Sequence, residues 1–221
     1  MILFLLIAIG GLALIPTVTL SYITIDAQIS IRQPIAGSLF SLICVLGILA
    51  AFYPLKCRRM FRKAQNPSPF TIGQPISIKI RGHHPECDKY AANRIKIGNY
   101  MICAACSGLL VGAIIALIGT VAYFFMGLNI VMNSFWLLII GEAFMLLGLT
   151  QIKFSGYTKS IVNMLFVVGS FLALFEVDFL RKSLVVDLYM LGLIAFMLWL
   201  RILLSEWHNK RTCKECRLCF H

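Results

Sequence analysis

The sequence predicts an all-α membrane protein, a bundle of about six transmembrane helices with a small cytosolic metal-ribbon-like loop. Three observations predict it: an apolar composition, six apolar runs of spanning length, and basic charge confined to alternate connections. Of 221 residues, 60% are hydrophobic and 13% charged, with a mean hydropathy of +0.88. A soluble domain is roughly 45–50% apolar and about 25% charged. So few charges cannot cover so much apolar surface in water, which points to a bilayer.

The net charge of +11 has two readings, a nucleic-acid footprint or the cytosolic positive bias of membrane proteins. Its distribution selects the second. Lys56, Arg58, Arg59, Arg62 and Lys63 directly follow an apolar run, with no base-stacking motif beside them. The lipid bilayer is therefore the expected partner and nucleic acid is not.

The first run extends from Ile2 to about Ile23. Ile2, Leu3 and Phe4 follow Met1 at once, without the basic start of a secretory signal, so a retained helix is expected. The second run is Ile35 to Leu55, ended by Pro54 and the basic cluster. The third, from about Ile102 to Leu128, carries Gly108-x-x-x-Gly112, a spacing that permits close helix approach. The fourth is Phe135 to Ile152, the fifth Ile161 to Phe179, and the sixth Leu184 to Leu204. The chain thus divides into helices 1–2 (1–55), a basic loop (56–100), helices 3–6 (101–204) and a Cys-rich tail (205–221).

Orientation follows from Lys and Arg in the connections. Ten lie between Lys56 and Tyr100, two between Lys153 and Lys159, and four after Ser205. The intervening connections hold only Arg32, none, and the pair Arg181 and Lys182. This places the protein in the cell membrane with both termini cytosolic. Within the spans, Glu142 is central and costs several kcal/mol unless paired, protonated or wet. Glu176, Asp178 and Asp187 are expected as interfacial ion pairs with Arg181 and Lys182. Arg201 is expected to snorkel. A single central acid argues against a proton or cation path.

The large loop begins with an irregular linker, Gln65 to Phe70. Alternation at Ile76, Ile78 and Ile80, and again over Arg94 to Ile97, suggests two short strands that could pair. Two short strands alone are marginal in water, so something must hold them. A metal is the candidate. His83-His84-Pro85-Glu86-Cys87 precedes Cys103-Ala104-Ala105-Cys106, so that His84-x2-Cys87 and Cys103-x2-Cys106 are separated by fifteen residues. This is the knuckle–spacer–knuckle pattern of a zinc ribbon with one Cys replaced by His. Two such turns complete a tetrahedron, with Zn–S near ~2.3 Å and Zn–N near ~2.0 Å. His83 can replace His84 or orient it, as can the carboxylates of Glu86 and Asp88. At i and i+3 on the third helix, Cys103 and Cys106 are expected to share one face.

A second cluster ends the sequence: Cys213, Cys216, Cys219 and His221. Zinc or another thiophilic ion is the first reading. Thiols without metal are the second reading, and an iron–sulfur cluster is the third, because the Cys-x2-Cys-x2-Cys run resembles part of a ferredoxin-type motif. Cytosolic thiols stay reduced, which favours metal over disulfides. Both clusters are expected on one side, as one site or two. Cys44, alone in an apolar run, reads as a small buried hydrophobe, and Cys57 is unassigned.

The stretch from Gly82 to Cys87, followed by Cys103-Ala104-Ala105-Cys106-Ser107-Gly108, resembles a family of prokaryotic multi-pass membrane proteins of unknown function. Those proteins carry a His/Cys segment and then Cys-Ala-x-Cys-Ser/Thr-Gly opening a helix. The resemblance covers about 35 residues and omits the terminal cluster. It implies a metal or thiol site and no activity.

Three functions are expected in order. The first is non-catalytic, a cytosolic metal clip on a structural, accessory or metal-handling subunit, with membrane-protein partners or a homo-oligomer. The second is a thiol–disulfide oxidoreductase using Cys103 and Cys106, since a helix N-terminus favours a thiolate. The third is a metal-dependent hydrolase with Glu86 as base, for which no His-Glu-x-x-His pattern is present. No catalytic residue is assigned.

Overall fold

A computed structural model describes residues 2–20, 31–52, 62–63, 93–97, 100–127 and 135–215. Among these residues six helices are long and apolar enough to cross a membrane. They are α1 (Ile2–Leu20), α2 (Arg32–Phe52), α3 (Ala104–Thr120, continued by a π-helical turn Val121–Phe125), α4 (Phe135–Leu149, continued by a 3-10 turn Thr150–Lys153), α5 (Gly156–Arg181) and α6 (Leu184–Glu215). Three short strands, β1 (Arg62–Lys63), β2 (Arg94–Ile97) and β3 (Tyr100–Cys103), form one antiparallel sheet in the order β1-β3-β2.

The runs read from the sequence are the helices observed, shifted by a few residues. The largest difference is at the C-terminal end. α6 continues eleven residues past Leu204 to Glu215, so the first part of the expected tail, Cys213 included, is helix. That extension is polar but contains no Gly or Pro to stop it.

α5 is the central helix. It packs on α3 and α4 along their length, and 56% of its apolar window is buried, against 22% for α1. Small residues set these approaches. A Cβ on Gly108 would overlap the backbone of Ser160, and one on Gly112 would meet Met164 and Val167. The Gly-x-x-x-Gly pattern therefore serves packing within the chain. Gly141 and Gly169 face each other in the same way, each Cβ position lying under 3.0 Å from the other's carbonyl oxygen.

The core between helices holds Phe40, Phe166, Met145, Leu174, Ile194 and Met197, all at most 1% exposed. Outward, Leu6, Val111, Ile115, Ile118, Trp136 and Ile202 are exposed, a surface that suits hydrocarbon and not water. α1 lies against α6 in antiparallel sense: Phe4 stacks edge-on with Trp199 at 5.3 Å, and Gly11 meets Leu193. Pro16 removes one N–H from α1. Nearby, Thr17 Oγ1 donates to Leu14 O at 2.7 Å and Thr19 Oγ1 to Pro16 O at 2.9 Å, so local carbonyls find partners.

The helices alternate in direction, so the start of α1, the end of α6 and the β2–β3 hairpin lie at one end of the bundle. The starts of α2 and α6 and the π-helical turn lie at the opposite end.

Candidate metal centre

The hairpin end is built from one short ladder. Arg94 pairs with Cys103, Ile95 with Ile102, Lys96 with Met101 and Ile97 with Tyr100, while Arg62 pairs with Met101 from the other side. The expected partner of Arg94–Ile97, the segment from Ile76 to Ile80, lies outside the described residues. The observed partner is Tyr100–Cys103, whose apolar character reads equally as the start of a helix. A short apolar run does not distinguish the two.

This changes the position of the cysteines. Cys103 is the last strand residue and the N-cap of α3, with φ −67° and ψ 121°, and Cys106 follows in the first helical turn. The two do not share a helical face as i and i+3 residues. They straddle the strand–helix junction instead, and both are half-buried thiols. The first turn holds no acidic residue, and its first N–H groups have no intrahelical acceptor. The junction is closed by Ala104 N–H donating to Asn93 O at 3.0 Å.

The hairpin is clamped to the bundle by residues without any motif. Lys159 Nζ donates to Asn93 Oδ1 at 2.6 Å. Ser107 Oγ lies 3.0 Å from Ser160 Oγ, at the level where Gly108 lets α3 touch α5. From Lys159 the polar chain continues inward. Asn163 Nδ2 donates to Lys159 O, and Asn163 Oδ1 accepts from Arg201 Nη2, which also donates to Gln151 Oε1 at 2.9 Å. The expected snorkelling of Arg201 is wrong: it is 4% exposed and lies over the Phe166 ring at 3.9 Å. A polar partner on each of α4 and α5 draws it inward.

His83, His84, Cys87, Cys216, Cys219 and His221 lie outside the described residues, as do Glu86 and Asp88. Among the described residues no group of three or more His, Cys, Asp or Glu is placed to hold a metal. The structure therefore places two of the expected ligands, Cys103 and Cys106, at one junction, and puts Cys213 on the last turns of α6. Cys44 is buried in the apolar core at 3% exposure.

The opposite end carries a second polar cluster, and here the expected pairing is corrected. Asp178 and Asp187 are fully buried, and the cation between them is Arg32 of α2. Arg32 Nη1 bonds Asp178 Oδ1 and lies 2.9 Å from Asp187 Oδ2. Tyr123 Oη donates to Asp178 Oδ2 at 2.8 Å, and Gln33 Nε2 to the same oxygen at 3.3 Å. The cause is the tight link between α5 and α6. Lys182 takes a left-handed conformation at φ 47°, and its N–H caps α5 on Asp178 O. The turn therefore sets the last turn of α5 beside the first of α6. Glu176 is also fully buried. Glu142 is 8% exposed, and its Oε1 is buried without a hydrogen-bond partner among the described residues.

Comparison with protein families, curated proteins and solved structures finds no match for this chain.

Proposed function

We propose that this multi-pass protein resides in the cell membrane with both termini in the cytosol. A cytosol-facing Cys/His site there holds zinc and fastens the 56–100 loop to the helix bundle. The protein then acts as a structural or accessory subunit, or handles the metal itself. The observation that carries the reading is the strand–helix junction, which sets Cys103 and Cys106 together at the mouth of a membrane helix.

His84 and Cys87 are the remaining ligands in this reading. The hairpin supports them, because β2 returns the chain to the first turn of α3 at Asn93. Cys87 precedes Asn93 by six positions, no more than about 20 Å of extended chain, so it can return to the same junction. Two thiolates and two further donors satisfy a tetrahedral ion, and the positive end of the α3 helix dipole favours the negative charge the thiolates bring. The ion would also hold a sheet too small to stand alone. The orientation rests on the basic residues: ten in the 56–100 loop against three in the connections at the opposite end. Cys213, Cys216, Cys219 and His221 supply a second thiophilic site, for zinc first and an iron–sulfur cluster second.

The test is the metal content of the purified chain and of Cys87→Ala and Cys106→Ala. Loss of the same ion in both variants, with helicity retained, supports the clip. Metal content unchanged in both refutes it.

The thiol–disulfide reading has one observation in its favour. Cys103 and Cys106 lie in the same helical mouth, with no acidic side chain in the first turn to oppose a thiolate. It predicts a metal-free protein in which these two cysteines cycle with a redox couple.

A further inference from the structure

Among the described residues two arginines are buried, Arg32 and Arg201, and the chain treats them differently. Arg32 is met by two carboxylates. Arg201, at 4% exposure, is met by two neutral amide oxygens and an aromatic ring. Its Nη2 makes both hydrogen bonds. A guanidinium carries five N–H donors, so three remain, one on Nε and two on Nη1. Both nitrogens are buried and bond to nothing among the described residues. No carboxylate pairs with Arg201 among those residues either.

A lone guanidinium in a low-dielectric interior costs several kcal/mol. A cation-π contact offsets about 2 kcal/mol or more of that when desolvated, and each charge-assisted hydrogen bond to an amide oxygen about 1.5–3 kcal/mol. Nε and Nη1 still have no acceptor among the described residues, and an anion is the partner that would accept from both while neutralising the charge.

Location narrows its identity. Gln151 belongs to the 3-10 turn that closes the fourth span at Lys153. The Gln151 partner therefore lies two residues from a span end, on the side where that span meets lipid headgroups. Lys153 follows in that turn and Lys159 begins the next helix, so the local field is positive. A guanidinium with spare donors is chemistry suited to phosphate.

We propose that Arg201, with Gln151 and Asn163, forms a binding site for one phosphate group, drawn from an anionic lipid headgroup or from free phosphate. The three spare N–H groups are enclosed in this structure, so the phosphate enters as the turn after Gln151 shifts while the Gln151–Arg201 bond is kept. That turn is a joint and not a helix interior: it leads into Gly156, whose φ of 53° is a conformation glycine adopts freely.

The experiment measures the thermal midpoint of the full chain in nanodiscs of phosphatidylcholine, of phosphatidylcholine with phosphatidylglycerol, and of phosphatidylcholine with inorganic phosphate. Wild type, Arg201→Met and a surface control, Arg211→Gln, are compared. A ligand at about 100 times its Kd is expected to raise the midpoint by roughly 5–10 °C. A rise with phosphatidylglycerol that Arg211→Gln keeps and Arg201→Met loses identifies a lipid headgroup. The same pattern with inorganic phosphate identifies the free ion. A wild type indifferent to both, or a rise that survives in Arg201→Met, overturns the proposal. Should Arg201→Met not fold, native mass spectrometry of wild type decides: one phospholipid or phosphate retained per chain supports the site, and none retained refutes it.

Discussion

Replacing Arg32 by Met tests whether the opposite end is held by charge or only by packing. Arg32 joins three helices through Asp178 and Asp187. Met keeps much of the side-chain volume and removes only the cation. Removing one partner of a buried ion pair costs about 3–5 kcal/mol, because the other charge is left behind. The remaining bonds from Tyr123 at 2.8 Å and Gln33 at 3.3 Å average about 0.6 kcal/mol each in a membrane and reach at most ~1.7. They cannot replace the ion pairs. For a chain of this length each kcal/mol moves the midpoint by about 2–4 °C, so Arg32→Met should lower it by roughly 6–20 °C. Adding Asp187→Asn removes one of the two stranded charges and should recover about half of that loss. The assay is thermal unfolding in detergent followed by circular dichroism, for wild type, both single variants and the double. A drop of less than about 2 °C in Arg32→Met, or no recovery in the double variant, would refute the argument.

Gly108→Ala should destabilise the bundle by about 1–3 kcal/mol, the cost of forcing a methyl into a filled space, since its Cβ overlaps the Ser160 backbone. Gly10→Ala and Gly47→Ala meet nothing within 4 Å and should be neutral or stabilising by up to about 1 kcal/mol; the same unfolding assay compares all three. Lys159→Met removes the tie to Asn93 and should speed maleimide labelling of Cys103 by about threefold or more, consistent with a charged hydrogen bond partly screened at a surface. Equal labelling rates would show that the clamp does not hold the hairpin. Single cysteines introduced at Lys210 and at Arg181 in a background without the native cysteines should label from opposite sides of the membrane, the first from the cytosol.

Much of the fold was legible because hydrocarbon imposes one simple demand, about 20 apolar residues per span, and the six runs meet it. The start of α3 was less legible. Tyr100–Cys103 is apolar and adjoins a helix, so only its pairing with Arg94–Ile97 reveals a strand. That pairing moves Cys103 from a helical face to the N-cap. The cysteine spacing itself was visible, since two thiols three positions apart are a local feature. The polar clamp was not. Asn93 and Lys159 are 66 positions apart, and Arg32 and Asp187 are 155 apart, so no window of sequence contains either pair. Arg201 misled for a related reason. Its distance from the span end suggests snorkelling, and only the rotation of α6 against Gln151 and Asn163 turns it inward. Tyr123 carries no motif either; its placement on the π-helical turn that brings it to Asp178 appears only in the folded chain.

The most direct test of the central claim is the metal content of the detergent-purified full chain, by mass spectrometry, for wild type, Cys103→Ala and Cys106→Ala. The account predicts about one or two zinc ions per chain, with one lost in each variant while helicity is unchanged. A wild type purified without chelator that holds no metal, and whose Cys103 and Cys106 interconvert between dithiol and disulfide, would contradict it and establish the redox reading in its place.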